Sequence, residues 1–414
     1  MKSLLLSLPL LLHAQAPVVT VVPSPEPTRH LAYRRTLVGP GVNQPAAYPG
    51  YLGFVGWESV VRTKTGALVM TFTSGYWHAS FPTPYRGVDP GDIERYVEMG
   101  MPRVEAPRGG RAEVMRSEDG GKTWSKPAVM IDTEFDDRSP AAALLPDGTL
   151  VATLFTYPHD GCGRAGVIRS FDDGRTWEQT VRYLPGFACS SGDGPPLVMP
   201  DGSILIVMEG ATRARGDNRT IGVWRSRDQG ATWELTGVIR AEFEQYEPSI
   251  ARLPDGKLIV ITRPEGALSW SSDEGATWTP PVKLSFKMFD PWLLLLRDGT
   301  LLCVHGSYHK EKRGVRAILS RDGGKSWIAA GEDFGFAIDP STYGYSRGIQ
   351  LPDGSIYMVY IHTGGHKTED AKNQSIFALR FRVRPDASGL ELLPAPGGAK
   401  PGKPRKATLP SKHI

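Results

Sequence analysis

The chain has 414 residues, with 48 lysines and arginines against 44 aspartates and glutamates, and three cysteines. A net charge of +4 over this length gives no support for nucleic-acid binding. Three cysteines are too few, and odd in number, for a disulfide framework.

The N-terminal residues read as an export signal spanning 1–16: Lys2 gives a positive start, Leu4 to Leu12 an apolar run broken by Pro9, and Ala14-Gln15-Ala16 a small-residue cleavage site. Cleavage is expected near Ala16, giving a secreted protein, periplasmic or extracellular. The run is too short to span a bilayer and no later stretch resembles a membrane helix. No cysteine follows the cleavage site to accept a lipid. Export permits one disulfide, and Cys162 with Cys189 is the favoured pair because they lie in neighbouring repeats.

Those repeats dominate the chain. Ser-x-Asp-x-Gly-x-Thr/Ser-Trp occurs at Ser117, Ser170, Ser226, Ser271 and Ser320, with starts 53, 56, 45 and 49 residues apart. This is the length of a four-stranded propeller blade. Each copy reads as a tight turn: the Asp caps backbone N–H groups, the Gly takes a positive φ, and the Trp packs beneath. An interleaved signal, an apolar strand pair around Asp-Gly or Thr-Gly, places hairpin glycines at Gly66, Gly148, Gly202, Gly256, Gly299 and Gly354. Six hairpins predict an all-β, six-bladed propeller over about 30–390. Its first blade carries a polar insertion from about 77 to 111. The sixth unit lacks the Asp turn and is expected to close with Ile376 to Val383 and a strand near Leu31 to Leu37, which removes free sheet edges. Residues 391–414, rich in Pro, Lys and Gly from Gly397 onward, read as a disordered tail.

Propeller pockets lie on the axis where the innermost strands begin. Counting nine residues back from each hairpin glycine gives Trp57, Ser139, Asp193, Glu247, Asp290 and Tyr345, with Glu58, Asp137 and Arg138 alongside. Acidic and phenolic groups at strand starts suit binding or catalysis, against the plain alternative of solvated loop residues.

The Asp-turn repeats, the six units and the signal segment together resemble the bacterial sialidase (neuraminidase) superfamily over about residues 30 to 390. In that family the Asp turns sit on the outer rim, so they carry fold and no chemistry. Gly344-Tyr345-Ser346-Arg347 followed by Leu351-Pro352-Asp353-Gly354 is similar to the segment bearing its catalytic tyrosine. The resemblance implies Tyr345 as a nucleophile on the anomeric carbon and Glu247, in Glu247-Pro248-Ser249, as the base that takes its proton. A neutral nucleophile suits a substrate with its own carboxylate. The resemblance further implies an arginine trio gripping that carboxylate, with Arg263 at one family position and Arg313, or its competitor Arg316, at another. The bland alternatives are an aromatic wall, an ordinary ion pair and surface charges.

The first arginine of the trio has no counterpart, since its place is taken by Gly56 in Gly56-Trp57-Glu58-Ser59. Arg138, in Asp137-Arg138-Ser139-Pro140, is the substitute from blade two. The family's supporting glutamate is also missing where Tyr360 is followed by Ile361. The family's catalytic aspartic acid falls in the insertion, where Asp89 and Asp92 are the available aspartates and His78 a competing acid. His305, His309, His362 and His366 have four-residue spacings, but on strands and loops these are no zinc signature, and catalysis of this type needs no cofactor. The resemblance thus implies an exo-acting retaining glycosidase taking a glycan with a terminal acidic sugar, sialic acid first, and the chain is expected to be a monomer. Trp57, Glu58, Asp137, Asp193 and Asp290 are further substrate contacts. Another glycosidase, a uronate lyase using Tyr345 or His78, and a non-catalytic glycan-binding propeller stay open.

Overall fold

A computed structural model describes residues 20–23, 33–48, 51, 53–75, 109–157, 162–211, 219–307, 309, 312–329, 334–342, 344–362 and 374–397. Among these residues the secondary structure is all strand, in six sheets arranged around one axis. The innermost strands of successive blades are Phe54–Arg62, Asp136–Leu144, Leu197–Val198, Tyr246–Arg252, Met288–Leu295 and Ser346–Gln350. Each pairs antiparallel with the next strand through the hairpin glycine anticipated from sequence, all six of which have φ between 82° and 104°.

The ring is closed by packing as well as by strands. Six apolar clusters each join two adjacent blades, such as Val69 of blade 1 with Ile168 of blade 2 and Leu205 of blade 3 with Leu258 of blade 4. The last joins Met70 of blade 1 to Val359 of blade 6. A blade buried on both faces needs apolar residues on both, hence near-continuous runs such as Ile356–Ile361.

The Asp turns fold as read. In the first, Ser117 Oγ donates to Asp119 Oδ1 at 2.8 Å, Thr123 N donates to the same oxygen at 2.8 Å, and Gly121 N donates to Ser117 Oγ. Trp327 of the last copy is fully buried and donates from its indole to Gly324 O.

Closure is more elaborate than expected. Arg35–Val38 pairs with Ile376–Val383, but only along its first half; the second half is taken by Leu390–Leu393. The expected tail boundary at 391 is therefore corrected. The chain stays in the sheet to Leu393, and Ala395 is buried and donates its N–H to Tyr33 O, because blade 6 has an edge left to fill. Thr20–Pro23 adds a parallel strand to the outer edge of blade 5, which the sequence did not announce. Arg111, expected to end the insertion, opens the third strand of blade 1. Cys162 and Cys189 form a disulfide, and Cys303 is a buried thiol. The signal segment, Trp77 to Arg108 of the insertion and the chain beyond Gly397 lie outside the described residues.

Candidate functional site

Four of the six positions found by counting back from the hairpin glycines share an unusual backbone. Trp57, Ser139, Glu247 and Asp290 have φ of 50°, 53°, 47° and 44°, the left-handed region that non-glycine residues rarely enter. At each the pairing register slips, between Gly56 and Ser59, Arg138 and Ala141, Tyr246 and Ser249, and Phe289 and Trp292. An inserted residue of this kind re-aims a side chain that would otherwise follow strand alternation. In blades 3 and 6 a glycine precedes the position instead, Gly192 and Gly344, with φ of 153° and 125°. A bulge in four blades and a positive-φ glycine in two break the strand pattern at these positions around the ring.

Tyr345 and Glu247 meet at the axis. The Tyr345 hydroxyl donates to Glu247 Oε1 at 2.7 Å, while Arg263 Nε lies 2.5 Å from Glu247 Oε2 and the Asp290 N–H donates to that same oxygen at 2.9 Å. The Glu247 N–H donates to Glu209 Oε2, fixing the backbone that carries the base. Burial, and next the negative charge of Glu247, raise the Tyr345 phenol well above its ordinary value. Arg263 lies over the Tyr246 ring at 4.9 Å.

Below this couple sits a cation that the sequence reading quoted but gave no role. Arg347 is buried, and its Nη1 and Nη2 form a fork on Asp290 Oδ2 and Oδ1, both at 2.7 Å, with Asp193 Oδ1 2.8 Å from Nη2. Burial works against its charge, yet Asp193 and Asp290 outweigh that and hold the guanidinium above its usual range. Asp193 is pushed up by burial, and further by Asp290 and Glu247, with Arg347 opposing. Glu58 is 2% exposed, and among the described residues neither carboxylate oxygen has a hydrogen-bond partner beyond its own residue. Burial drives its pKa up to about 8, with Asp290 adding and Arg347 opposing. Glu209, also missed, is raised to about 7 by burial; its one legible signal is a carboxylate within the otherwise apolar strand Ile204–Ala211.

Other candidates fall elsewhere. Arg138 is buried and paired with Asp136, its Nε donating at 2.6 Å, and lies 4.4 Å from the Tyr157 ring and 5.8 Å from that of Trp57. Asp137 is corrected: strand alternation turns it away from Arg138, and its carboxylate takes the N–H and hydroxyl of Thr133 at 2.6 and 2.9 Å, fastening a turn. Burial raises it to about 7. Arg313 is exposed, just before the third strand of blade 5. Its competitor Arg316 is buried, with its guanidinium donating to Lys312 O and Gly335 O. Trp57 is half-buried against Phe54, and the Ser139 N–H donates to Thr73 Oγ1. His78, Asp89 and Asp92 lie outside the described residues. Among the described residues, no cluster of three or more metal-ligating side chains occurs.

The family model for the BNR repeat-like domain matches residues 104–358, more than half of the chain. A sialidase of Bacteroides fragilis is 21% identical over 329 residues, covering 68% of this chain; the chain spans 57% of that relative's length. Among solved structures, a protein of unknown function from Dyadobacter fermentans superposes with a TM-score of 0.64 at 20% identity, over 86% of this chain and all of that one. The Hadza microbial sialidase Hz136 gives 0.55 at 18% identity, over 78% and 65%. Trypanosoma rangeli sialidase gives 0.55 at 15% identity, over 86% and 58%. At these identities the structural likeness establishes the fold. The chain belongs to the BNR repeat-like domain family and is a divergent, sialidase-like six-bladed propeller.

Proposed function

We propose that this chain is an exported, exo-acting, retaining glycosidase in which Tyr345 is the nucleophile and Glu247 its base. The observation that carries the reading is the 2.7 Å hydrogen bond from Tyr345 Oη to Glu247 Oε1. A phenol whose pKa is raised by burial needs a partner to take its proton as it attacks. In the first step the Tyr345 oxygen bonds to the anomeric carbon, the bond to the leaving oxygen breaks, and the phenolic proton passes to Glu247. The leaving oxygen takes a proton from an acid, for which Asp92, Asp89 and His78 in the insertion are the candidates. Water then attacks the anomeric carbon, giving its proton to the acid that was deprotonated in the first step, and the bond to Tyr345 breaks as Glu247 returns its proton to the phenolate, so both groups are restored and configuration is retained. Arg263 orients Glu247 through the opposite oxygen.

The test is release of sugar from a panel of sialosides, uronosides and neutral glycosides by wild type and Tyr345→Phe. Loss of release in the variant supports the mechanism. Equal release by both proteins sinks it. An unsaturated product absorbing in the ultraviolet would instead indicate a lyase.

A further inference from the structure

We propose that the axial site takes a terminal sugar bearing no carboxylate, and that it discriminates against the acidic sugars its fold relatives' names suggest. This deepens the glycosidase reading and rests on the same pocket being the binding site.

The charges on the axis carry the inference. Among the described residues, Glu247 and Asp290 act on Tyr345, and Glu58, Asp193 and Glu209 join the same electrostatic network through them, giving five carboxylates against the guanidiniums of Arg263 and Arg347. Arg347 has no capacity for a ligand. Four of its five N–H groups donate, from Nε to Asp193 O at 3.4 Å, from Nη1 to Asp290 Oδ2 and Ser346 O, and from Nη2 to Asp290 Oδ1. The nitrogen carrying the fifth faces Asp193 Oδ1 at 2.8 Å. Arg263 is matched with Glu247, and Arg138 with Asp136. Arg313 is exposed.

Protonation does not reverse the balance. Burial favours the neutral forms of Glu58, Asp193 and Glu209. With all three neutral, Arg263 with Glu247 and Arg347 with Asp290 cancel. Ionisation of any of the three makes the site negative. Among the described residues a sugar carboxylate would therefore meet no net positive charge, and it would raise the Tyr345 phenol further, opposing proton transfer to Glu247. Sugar hydroxyls have the opposite fit, since they donate to carboxylate oxygens.

The test is a ligand-observed NMR titration of the full chain with matched methyl glycosides, galactoside against galacturonoside and glucoside against glucuronoside, together with a methyl sialoside. The uncharged member of at least one pair is expected to bind at least tenfold more tightly than its acid, and Asp193→Asn to narrow that ratio. Glu58→Gln, which breaks no hydrogen bond to another described residue, carries the same arm should Asp193→Asn fail to fold. Equal or tighter binding of the acids overturns the inference, as does absence of saturable binding by every uncharged glycoside. The two readings separate cleanly. Tyr345-dependent cleavage of a sialoside in preference to neutral glycosides overturns this inference and leaves the mechanism standing. Preferential binding of neutral sugar without Tyr345-dependent release leaves the inference and removes the mechanism.

Discussion

Arg347 and Asp290 meet as a two-point fork, with both N–O distances at 2.7 Å, and join the innermost strands of blades 6 and 5 at the axis. Both are buried, and removing Asp290 leaves Arg347 with Asp193 alone as its counter-charge, at a cost of up to about 3–5 kcal/mol. Asp290→Asn keeps the size of the side chain and a residue type tolerant of the left-handed backbone. It is expected to lose about that much stability in urea denaturation, and the double variant Asp290→Asn with Arg347→Met to recover part of it. An unchanged midpoint in the single variant would show that the fork adds nothing to stability.

Tyr345→Phe removes the proposed nucleophile and one hydrogen bond while leaving the ring in its packing. On whichever glycoside the wild type cleaves, kcat is expected to fall about 1,000-fold or more. Glu247→Gln should lower it by about 100- to 10,000-fold, the usual range for a general base. Thermal melting within a few degrees of wild type would assign the loss to chemistry; full activity in either variant refutes the assignment.

Glu58 makes stability depend on pH. Its pKa is about 8 in the folded chain against an ordinary 4.5, so between these values the unfolded chain has released a proton that the folded chain retains. Stability is therefore full below about 4.5, falls as pH rises through the window, and levels off above about 8. Each unit of difference corresponds to about 1.4 kcal/mol. Glu58→Gln removes this titration. The two proteins are expected to melt at similar temperatures at acid pH and the variant to melt higher at alkaline pH; parallel pH profiles would contradict a buried carboxyl with a raised pKa.

The Cys162–Cys189 bridge spans 27 residues and ties blade 2 to blade 3. Closing a loop of that length restrains the unfolded chain by about 3–4 kcal/mol. Replacing both cysteines by serine should cost that order of stability, and reducing agent should lower the wild-type melting temperature but not that of the double variant. Reductant sensitivity in both proteins would place its effect elsewhere.

Blade number, hairpin positions and Asp turns were all legible in the chain because each depends on contacts within a few residues. Ser117, Asp119, Gly121 and Thr123 make one turn whether or not the ring closes. The spacing from the hairpin glycines reached the axis for the same reason, landing on the left-handed positions of four blades. Asp137, taken alongside those positions, instead holds the Thr133 turn, because one residue of strand alternation decides between axis and turn.

What the sequence by itself determined is a six-bladed, sialidase-like ring and the tyrosine and glutamate on its axis. Only the tertiary structure decided what surrounds them. Arg347, Asp193, Asp290, Glu58 and Glu209 come from different parts of the ring, in blades 6, 3, 5, 1 and 3, and their partners lie as far as 154 residues apart. Local pattern cannot report whether an arginine's N–H groups are already taken or whether a carboxylate is buried without a partner. Those properties arise when the ring closes and brings the strand starts into one low-dielectric space.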